Sequence, residues 1–495
     1  MKREPELFEK NKLFFGDNLE IMREHINDES VDLIYLDPPF NSKATYNVLF
    51  KEKNGSESAA QIHAFEDTWH WDQTSEATYH EIVTECPKKL SDLIQALRSF
   101  LGSNDMMAYL TMMAIRLNEM HRILKATGTI YLHCDPTASH YLKLVMDAIF
   151  GHKNFRNEIA WCYRGAGYPK KDFGKRHDII LRYSKSNNYI FNLDAVREEY
   201  AEATKERFKH YIGNIRNGKD FGTQKLHPLG RQPDDWWQIQ PIAPSARARL
   251  GYPTQKPEAL LDKIIKGSSN ENDVVFDPFC GCGTTISVAE HLHRKWIGID
   301  VTHLAITLIK HRLADTFGPE LSEYDVMGEP KDLSGAKALK DQDRYQFEWW
   351  ALGLVHARPA KDKKKGADTG IDGYIYFFDD NSKKPKKIIV QVKSGHVTVS
   401  QIRDLKGVLK RERAVIGAFL TLDQPTKPMI TEACSAGFYE PANFPGRKFP
   451  RIQILTIEEL LQGKKIEYQS LRDFTFKEAQ RKSKRKDEQE KLFET

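Results

Sequence analysis

Apolar residues recur along this chain in short runs separated by amphipathic stretches, and most runs stop at turn-forming residues. Leu13-Phe14-Phe15 ends at Gly16-Asp17, an amphipathic stretch continues to about residue 26, and Val31 to Leu36 form a short apolar run. This predicts strand, helix, strand. Asp37-Pro38-Pro39-Phe40 ends the second strand, because two successive prolines cannot donate ladder hydrogen bonds. Residues 41–105 are polar and read as irregular. A long amphipathic pattern predicts a helix over about 106–125, Thr129 to His133 a strand, and 137–150 another helix. Between 165 and 250 the periodicity weakens, and Gly, Pro, Asn and aromatic residues, Trp236-Trp237 among them, interleave with Lys and Arg.

Regular patterning returns with a helix near 257–267, a strand from Asp273 to Phe276 and a helix from about 284. A strand from Trp296 to Ile299 and a helix to about 316 follow. Strands separated by helices imply parallel pairing and an α/β fold. Residues 318–344 read as a linker. Beyond them a second α/β run is predicted, with a helix near 345–356, strands near 371–378 and 386–393, a helix near 400–411 and a strand from Val415 to Leu420. The last twenty residues, 476–495, hold the cluster Arg481 to Lys486 and read as a charged, frayed or disordered tail.

A chain of 495 residues has room for two or three domains of roughly 100–200 residues each. The net charge of +5 says little, but residues 151–250 carry 19 Lys+Arg against 11 Asp+Glu, an excess of +8, so the rest sums to −3. A basic middle fits a surface that follows a phosphate backbone, as it also fits a solvated loop-rich region. The N-terminal MKREPELFEK is too charged for a secretory signal, and no apolar run is long enough to span a bilayer. Six scattered cysteines show neither CxxC spacing nor a disulfide framework, which points to a reducing cytoplasm.

Two segments carry chemistry in the front half. In Val274 to Thr285 a strand runs into a glycine-rich turn and then a helix: Asp277-Pro278-Phe279-Cys280-Gly281-Cys282-Gly283-Thr284. It contains neither GxGxxG nor the GK[ST] of a phosphate-cradling loop. Asp300 ends the next strand, where an acid can accept hydrogen bonds from ribose hydroxyls. A turn of this kind with a ribose acid suits a nucleoside such as S-adenosylmethionine. The second segment is Asp37-Pro38-Pro39-Phe40. The exocyclic amine of a base is a poor nucleophile because its lone pair is delocalised into the ring. A carboxylate and a backbone carbonyl, those of Asp37 and Pro38, would accept its two N–H bonds and free that pair. Phe40 offers a flat face on which an extruded base can stack.

Residues 12–316 resemble the amino-methylating DNA methyltransferases, specifically the permuted group in which the catalytic motif precedes the cofactor motif. The resemblance rests on Gly16-Asp17-Asn18, Ser30 to Ile34, Asp37 to Phe40, His177-Asp178-Ile179-Ile180-Leu181, Thr254-Gln255-Lys256-Pro257, Asp277 to Thr285, and Gly298-Ile299-Asp300. It implies a Rossmann-like fold with the strands ending at Asp37 and Asp277 side by side. It implies that Asp277, Phe279, Gly281, Gly283, Thr284 and Asp300 contact S-adenosyl-L-methionine, with Thr254 and Lys256 at its methionine end. Asp37, Pro38, Pro39 and Phe40 would hold the target base. The DPP form resembles the adenine-N6 enzymes, and an N4-cytosine target is the alternative. Residues 165–250 would form the target-recognition region inserted in a methyltransferase domain of residues 1–317.

The back half carries a further pattern. Asp372 opens one strand, and in Ile388 to Lys393 alternation puts Gln391 and Lys393 on one face of the next. A carboxylate with a second oxygen ligand can hold a divalent metal, and a lysine can orient an attacking water. Residues 345–475 resemble the PD-(D/E)xK nucleases, in particular the Mrr-like branch with Gln in place of the second acid. The resemblance implies a smaller restriction-endonuclease-like α/β domain. In it Asp372 and Gln391 would be ligands of Mg²⁺, Lys393 catalytic and Glu348 a supporting acid, with Asp368 able to substitute for Asp372.

The expectation is a site-specific adenine methyltransferase with metal-dependent endonuclease activity, serving restriction–modification or phage defence on double-stranded DNA. It has no membrane role, and a homodimer is compatible with it. The nuclease usually comes first in single-chain restriction–modification proteins, and here it comes last. The competing readings are a methyltransferase whose end domain only binds DNA, and a nuclease effector that uses the front domain as a cofactor-gated DNA sensor.

Overall fold

The computed structural model describes residues 9–39, 70–165, 169–210, 213–223, 225–243, 246, 254–360, 370–380, 385–473 and 475. In the front half it contains strands β1 (Asn11–Phe15), β2 (Val31–Leu36), β3 (Leu124–Cys134), β4 (Phe155–Cys162) and β5 (His177–Ser184). These are followed by β6 (Gly213–Arg216), β7 (Lys219–Thr223), β8 (Trp236–Gln238), β9 (Val274–Asp277), β10 (Lys295–Asp300) and β11 (Tyr324–Met327). Nine of them form one sheet in the order β11-β1-β10-β9-β2-β3-β5-β4-β8, while β6 and β7 make a separate hairpin. From β11 to β3 every pairing is parallel, and β5 is antiparallel to both β3 and β4.

Both faces of this sheet are covered. Helices α1 (Asn18–His25), α2 (Gln73–Glu85), α3 (Lys88–Leu101), α4 (Asp105–Ile123) and α5 (Ser139–Phe150) share one core with Ile34, Leu36, Ile130 and Phe276. After the short α6 (Glu202–Phe208), helices α7 (Glu258–Ser268), α8 (Thr284–His291) and α9 (His303–Phe317) pack on the other face with Leu33, Tyr35 and Val275. A parallel sheet buried on both faces needs apolar residues at successive positions rather than alternating ones. All six residues of β2 are buried accordingly.

Three sequence expectations are corrected here. The 41–105 segment is not irregular throughout, because α2 and α3 occupy much of its described part. Leu90, Ile94 and Leu97 give α3 its buried stripe. Residues 318–344 are not a bare linker: β11 pairs with β1 at the sheet edge, and helix α10 (Leu333–Gln342) buries Ala336 and Leu339. Within 165–250, β5 and β8 belong to the main sheet, so that region is not wholly an insertion outside it. The charged tail lies outside the described residues.

The back half begins with α10 and α11 (Arg344–Leu354) and builds a second sheet. Its strands and helices are β12 (Arg358–Pro359), β13 (Gly373–Phe378), β14 (Lys386–Lys393), α12 (Val399–Glu412), β15 (Ile416–Thr421) and α13 (Lys427–Cys434). A two-stranded ribbon, β16 (Phe438–Tyr439) with β17 (Phe449–Pro450), precedes β18 (Ile452–Thr456), α14 (Ile457–Leu461) and β19 (Arg472–Asp473). The sheet order is β12-β13-β14-β15-β18, with β19 pairing to β13. Phe347, Trp350, Val390 and Val392 belong to the core on one face, and Ile389, Leu405 and Met429 to the core on the other. No helix among the described residues is long and apolar enough to cross a membrane.

Candidate active sites

The carboxyl ends of β2 and β9 lie next to each other, because Ile34 pairs with Phe276 and the strands are parallel. Asp37 and Asp277 therefore emerge at one edge, the edge at which open α/β sheets bind ligands. Pro38 is buried and Pro39 half-buried, while Phe40 lies outside the described residues. Lys256 Nζ donates to Asp37 Oδ2 at 2.5 Å, with side-chain exposures of only 14% and 16%. Lys256, which the resemblance implied at the methionine end of the cofactor, is thus in contact with Asp37. Thr254 is exposed beside it.

A buried polar network backs Asp37 that the motifs alone did not reveal. His133, the polar residue near the end of β3, is 0% exposed. One ring nitrogen, Nδ1, shares a hydrogen bond of 3.0 Å with Tyr35 Oη and lies 3.9 Å from Asp37 Oδ1. The other, Nε2, is 3.2 Å from Asp178 Oδ2. Asp178 also accepts from Tyr163 Oη at 3.2 Å, and Trp161 packs edge-on against the imidazole. Burial works to raise the Asp178 carboxyl, but hydrogen bonding and charge from His133, together with the Lys256 charge, hold it below the usual carboxylate range. Burial pushes the Tyr35 hydroxyl well up, which keeps it a neutral donor or acceptor. The sequence signal for His133 was a histidine closing an otherwise apolar strand.

The glycine-rich turn is built around two buried carboxylates. Asp277 accepts from the Phe279 N–H at 3.1 Å, and burial pushes its carboxyl up to about 7. Asp300 accepts from the Thr302 N–H at 2.9 Å, the Thr302 hydroxyl at 2.8 Å and the Gly281 N–H at 2.9 Å. Burial raises it to about 6 despite those bonds. Gly281 and Gly283 both take positive φ, +50° and +72°. A Cβ on Gly283 would sit 2.7 Å from Ile309. Arg312 of α9 braces the turn from below, donating to the Cys282 carbonyl at 3.1 Å, to Thr284 Oγ1 at 3.0 Å and to Glu258 at 2.9 Å. From the other side the Asn18 amide donates to the Pro278 carbonyl at 2.9 Å. Arg116 in turn bonds both Asn18 and Asp17 at 2.6 Å. Residues 277–284 contain two carboxylate-anchored turns and no Lys or Arg, a donor set suited to a nucleoside and not to a polyphosphate.

In the back half Asp372 and Gln391 are brought together. The Asp372 N–H donates to the Val390 carbonyl at 3.0 Å, and its carboxylate accepts from the Val392 N–H at 2.7 Å. Both side chains are buried, at 7% and 3% exposure. The Gln391 amide nitrogen donates to the Gly370 carbonyl, and Gln391 Oε1 is buried with no hydrogen-bond donor among the described residues. A buried acceptor oxygen in that condition beside a carboxylate fits a hard cation. Lys393 follows on the same face, half-buried. Glu348 is half-buried on α11, the helix that covers the opposite face of the sheet from Gln391. Asp368 lies outside the described residues.

Comparison with known proteins agrees with this division. A DNA methylase family model matches residues 31–311, and a restriction endonuclease family model matches residues 339–460. The Type II methyltransferase M.HpaI of Haemophilus parainfluenzae is 31% identical over 248 residues, covering 49% of this chain and 71% of its own. M.BglII of Bacillus subtilis is 29% identical over 361 residues, covering 72% and 82%. The DNA adenine methyltransferase YhdJ of Escherichia coli (strain K12) is 28% identical over 307 residues, covering 62% and 83%. Among solved structures, the PvuII DNA methyltransferase (cytosine-N4-specific) aligns with a TM-score of 0.37 at 15% identity, over 61% of this chain and 86% of that one. A doubly covered parallel sheet with an acid-ended strand beside a glycine-rich turn, matched over more than half its length, makes this chain a member of the DNA methylase family, with a restriction-endonuclease domain behind it.

Proposed function

We propose that the protein methylates the N6 amine of adenine at a specific site in double-stranded DNA and cleaves DNA that lacks the mark. S-adenosyl-L-methionine would supply an electrophilic methyl group on sulfur; the target nitrogen forms the new carbon–nitrogen bond as the carbon–sulfur bond breaks, and it gives up one N–H proton to solvent by way of Asp37. Asp37 and the Pro38 carbonyl hold the two amine N–H groups, and Lys256 fixes the Asp37 carboxylate. His133 and Asp178 support that carboxylate from behind. Asp277, Phe279, Gly281, Gly283, Thr284 and Asp300 hold the methyl donor. The observation that supports this reading is the adjacency of the β2 and β9 ends, which brings Asp37 beside the glycine-rich turn that begins at Asp277. Adenine is favoured by the Asp-Pro-Pro form of the motif and by the similarity to an enzyme named for adenine; N4-cytosine is the alternative target.

For cleavage, Asp372 and Gln391 would hold Mg²⁺, which polarises a phosphodiester and lowers the pKa of a bound water. Lys393 would stabilise developing charge, while Glu348, on the helix that covers the opposite face of the sheet from Gln391, is given no role at the metal. The methyltransferase unit is taken to run through Met327 and the endonuclease unit from Leu333. A cytoplasmic setting suits the free thiols at Cys86, Cys134, Cys162, Cys280, Cys282 and Cys434. A homodimer with one protomer per strand is compatible with the reading, and sedimentation with and without duplex tests it. The deciding experiment incubates unmethylated plasmid with labelled S-adenosyl-L-methionine and Mg²⁺, scoring label on adenine and strand breaks together. Label with breaks, and label without breaks in Asp372→Ala, are the expected results. Breaks without any label in the parent would favour the sensor reading.

A further inference from the structure

The sheet order puts one more loop beside the amine-binding acid. β2, β3 and β9 end at the edge where Asp37 and Asp277 lie. β5 is antiparallel to β3, so it begins at that edge, and β4, antiparallel to β5, ends there. Residues 163–176 join the two. Their base is tied by the Tyr163 N–H, which donates to the Arg176 carbonyl at 3.0 Å. Two residues further on, Asp178 bonds His133 of the network behind Asp37. The described residues 163–165 and 169–176 thus adjoin the rim of the site.

On that loop Phe173 is 99% exposed. Lys170, Lys171 and Lys175 around it are exposed as well, and Asp172 is the one acid among residues 169–176. A phenyl ring held wholly in water gains by finding an apolar partner. The surrounding ammonium groups draw it to a phosphate backbone, whose interior is a stack of flat apolar faces. Taking a target base out of a duplex leaves a gap in that stack, and apolar side chains are suited to wedge between base steps.

We propose that Phe173 enters the base stack where the target base has left it, while Lys170, Lys171 and Lys175 engage the flanking phosphates. The inference rests on the methyl-transfer reading above. Phe173 touches no reacting atom and is a positioning residue: it holds the extruded state open so that the base can stay at Asp37.

The test uses the full-length protein and duplexes carrying its own site, mapped first on plasmid that it has methylated. One duplex is fully paired; in the other the target adenine faces an abasic position and is already unpaired. Phe173→Ala is expected to lower kcat/KM for methylation about 10- to 100-fold on the paired duplex and less than about threefold on the unpaired one. Phe173→Trp should restore the paired duplex. Because the side chain is fully exposed, neither change threatens folding. Unchanged activity of Phe173→Ala on the paired duplex, or equal loss on both, overturns the proposal. Failure of the parent protein on every duplex overturns the methyl-transfer reading itself, so the two failures are distinguishable.

Discussion

At the residue scale Asp37, the acid proposed to bind the amine, is held by one largely buried ion pair. Lys256 takes Asp37 Oδ2, and Oδ1 is left facing the His133 side of the site. On the proposed reading the Lys256 pairing takes up one carboxylate oxygen and leaves the other for an amine N–H. Asp37→Ala should therefore abolish methyl transfer while S-adenosylmethionine affinity, measured by calorimetry, stays within about threefold; a large loss of affinity would refute the separation of the two motifs. The buried acids of the turn make a pH prediction. Asp277 and Asp300 titrate near 7 and 6 in the folded protein, above the usual carboxylate value, because burial disfavours the charge. A raised folded pKa means that the folded state binds the proton more tightly, so the contribution to stability is full below about pH 4 and is lost as the pH rises through about 6 to 7. Asp277→Asn should raise the melting temperature of the ligand-free protein at about pH 8, with the gain shrinking toward about pH 5, while weakening donor binding. Scanning fluorimetry across that range checks it, and a pH-independent difference would count against a buried charge as the cause.

At the scale of elements, the strand–turn–helix unit at the donor site depends on one backbone conformation. Gly283 has φ +72°, and a Cβ there would press on Ile309. Gly283→Ala should destabilise the fold by about 1–3 kcal/mol in urea unfolding and impair donor binding in calorimetry; a neutral effect would mean the turn relaxes freely. This unit was legible from sequence because its period changes abruptly from strand to glycine to helix, and β2, β9 and β10 fall within a residue of their expected ends. α2 and α3 were missed because the polar residues around Leu90, Ile94 and Leu97 hid a stripe with sound helical spacing. β11 was missed for a different reason: it is an edge strand with no fully buried residue, so its hydrophobic signal is weak. Within the site, motif residues could be read as types at a spacing. Arg116 and Arg312 could not, since their contacts exist only once distant elements pack, and His133 showed only as a histidine near the end of an apolar strand.

For the molecule as a whole, the two halves are not beads on a string. Phe15 of β1 stacks on His303 of α9 with ring centroids 3.6 Å apart, and Phe15 also packs against the core of the second domain. The His303 N–H donates to Gln346 of α11 at 3.2 Å. α9 and α11 come so close at Gly353 that a Cβ there would lie 2.7 Å from Thr307 Oγ1. The parent should then melt in one transition, and Gly353→Leu, which forces the helices apart, should split it into two. Calorimetric scanning decides this, and two transitions in the parent would show that the contact carries little coupling.

That close helix–helix seam has a consequence for where DNA is cut. An enzyme whose cutting head swings on a tether leaves breaks scattered over the tether's reach. Here α11 of the endonuclease half packs directly on α9 of the methyltransferase half, so on the proposed reading the distance between cutting and reading is fixed. Sequencing of cleavage ends should find them at one fixed offset from the methylatable base, and the spread should widen when Gly353→Leu loosens that packing.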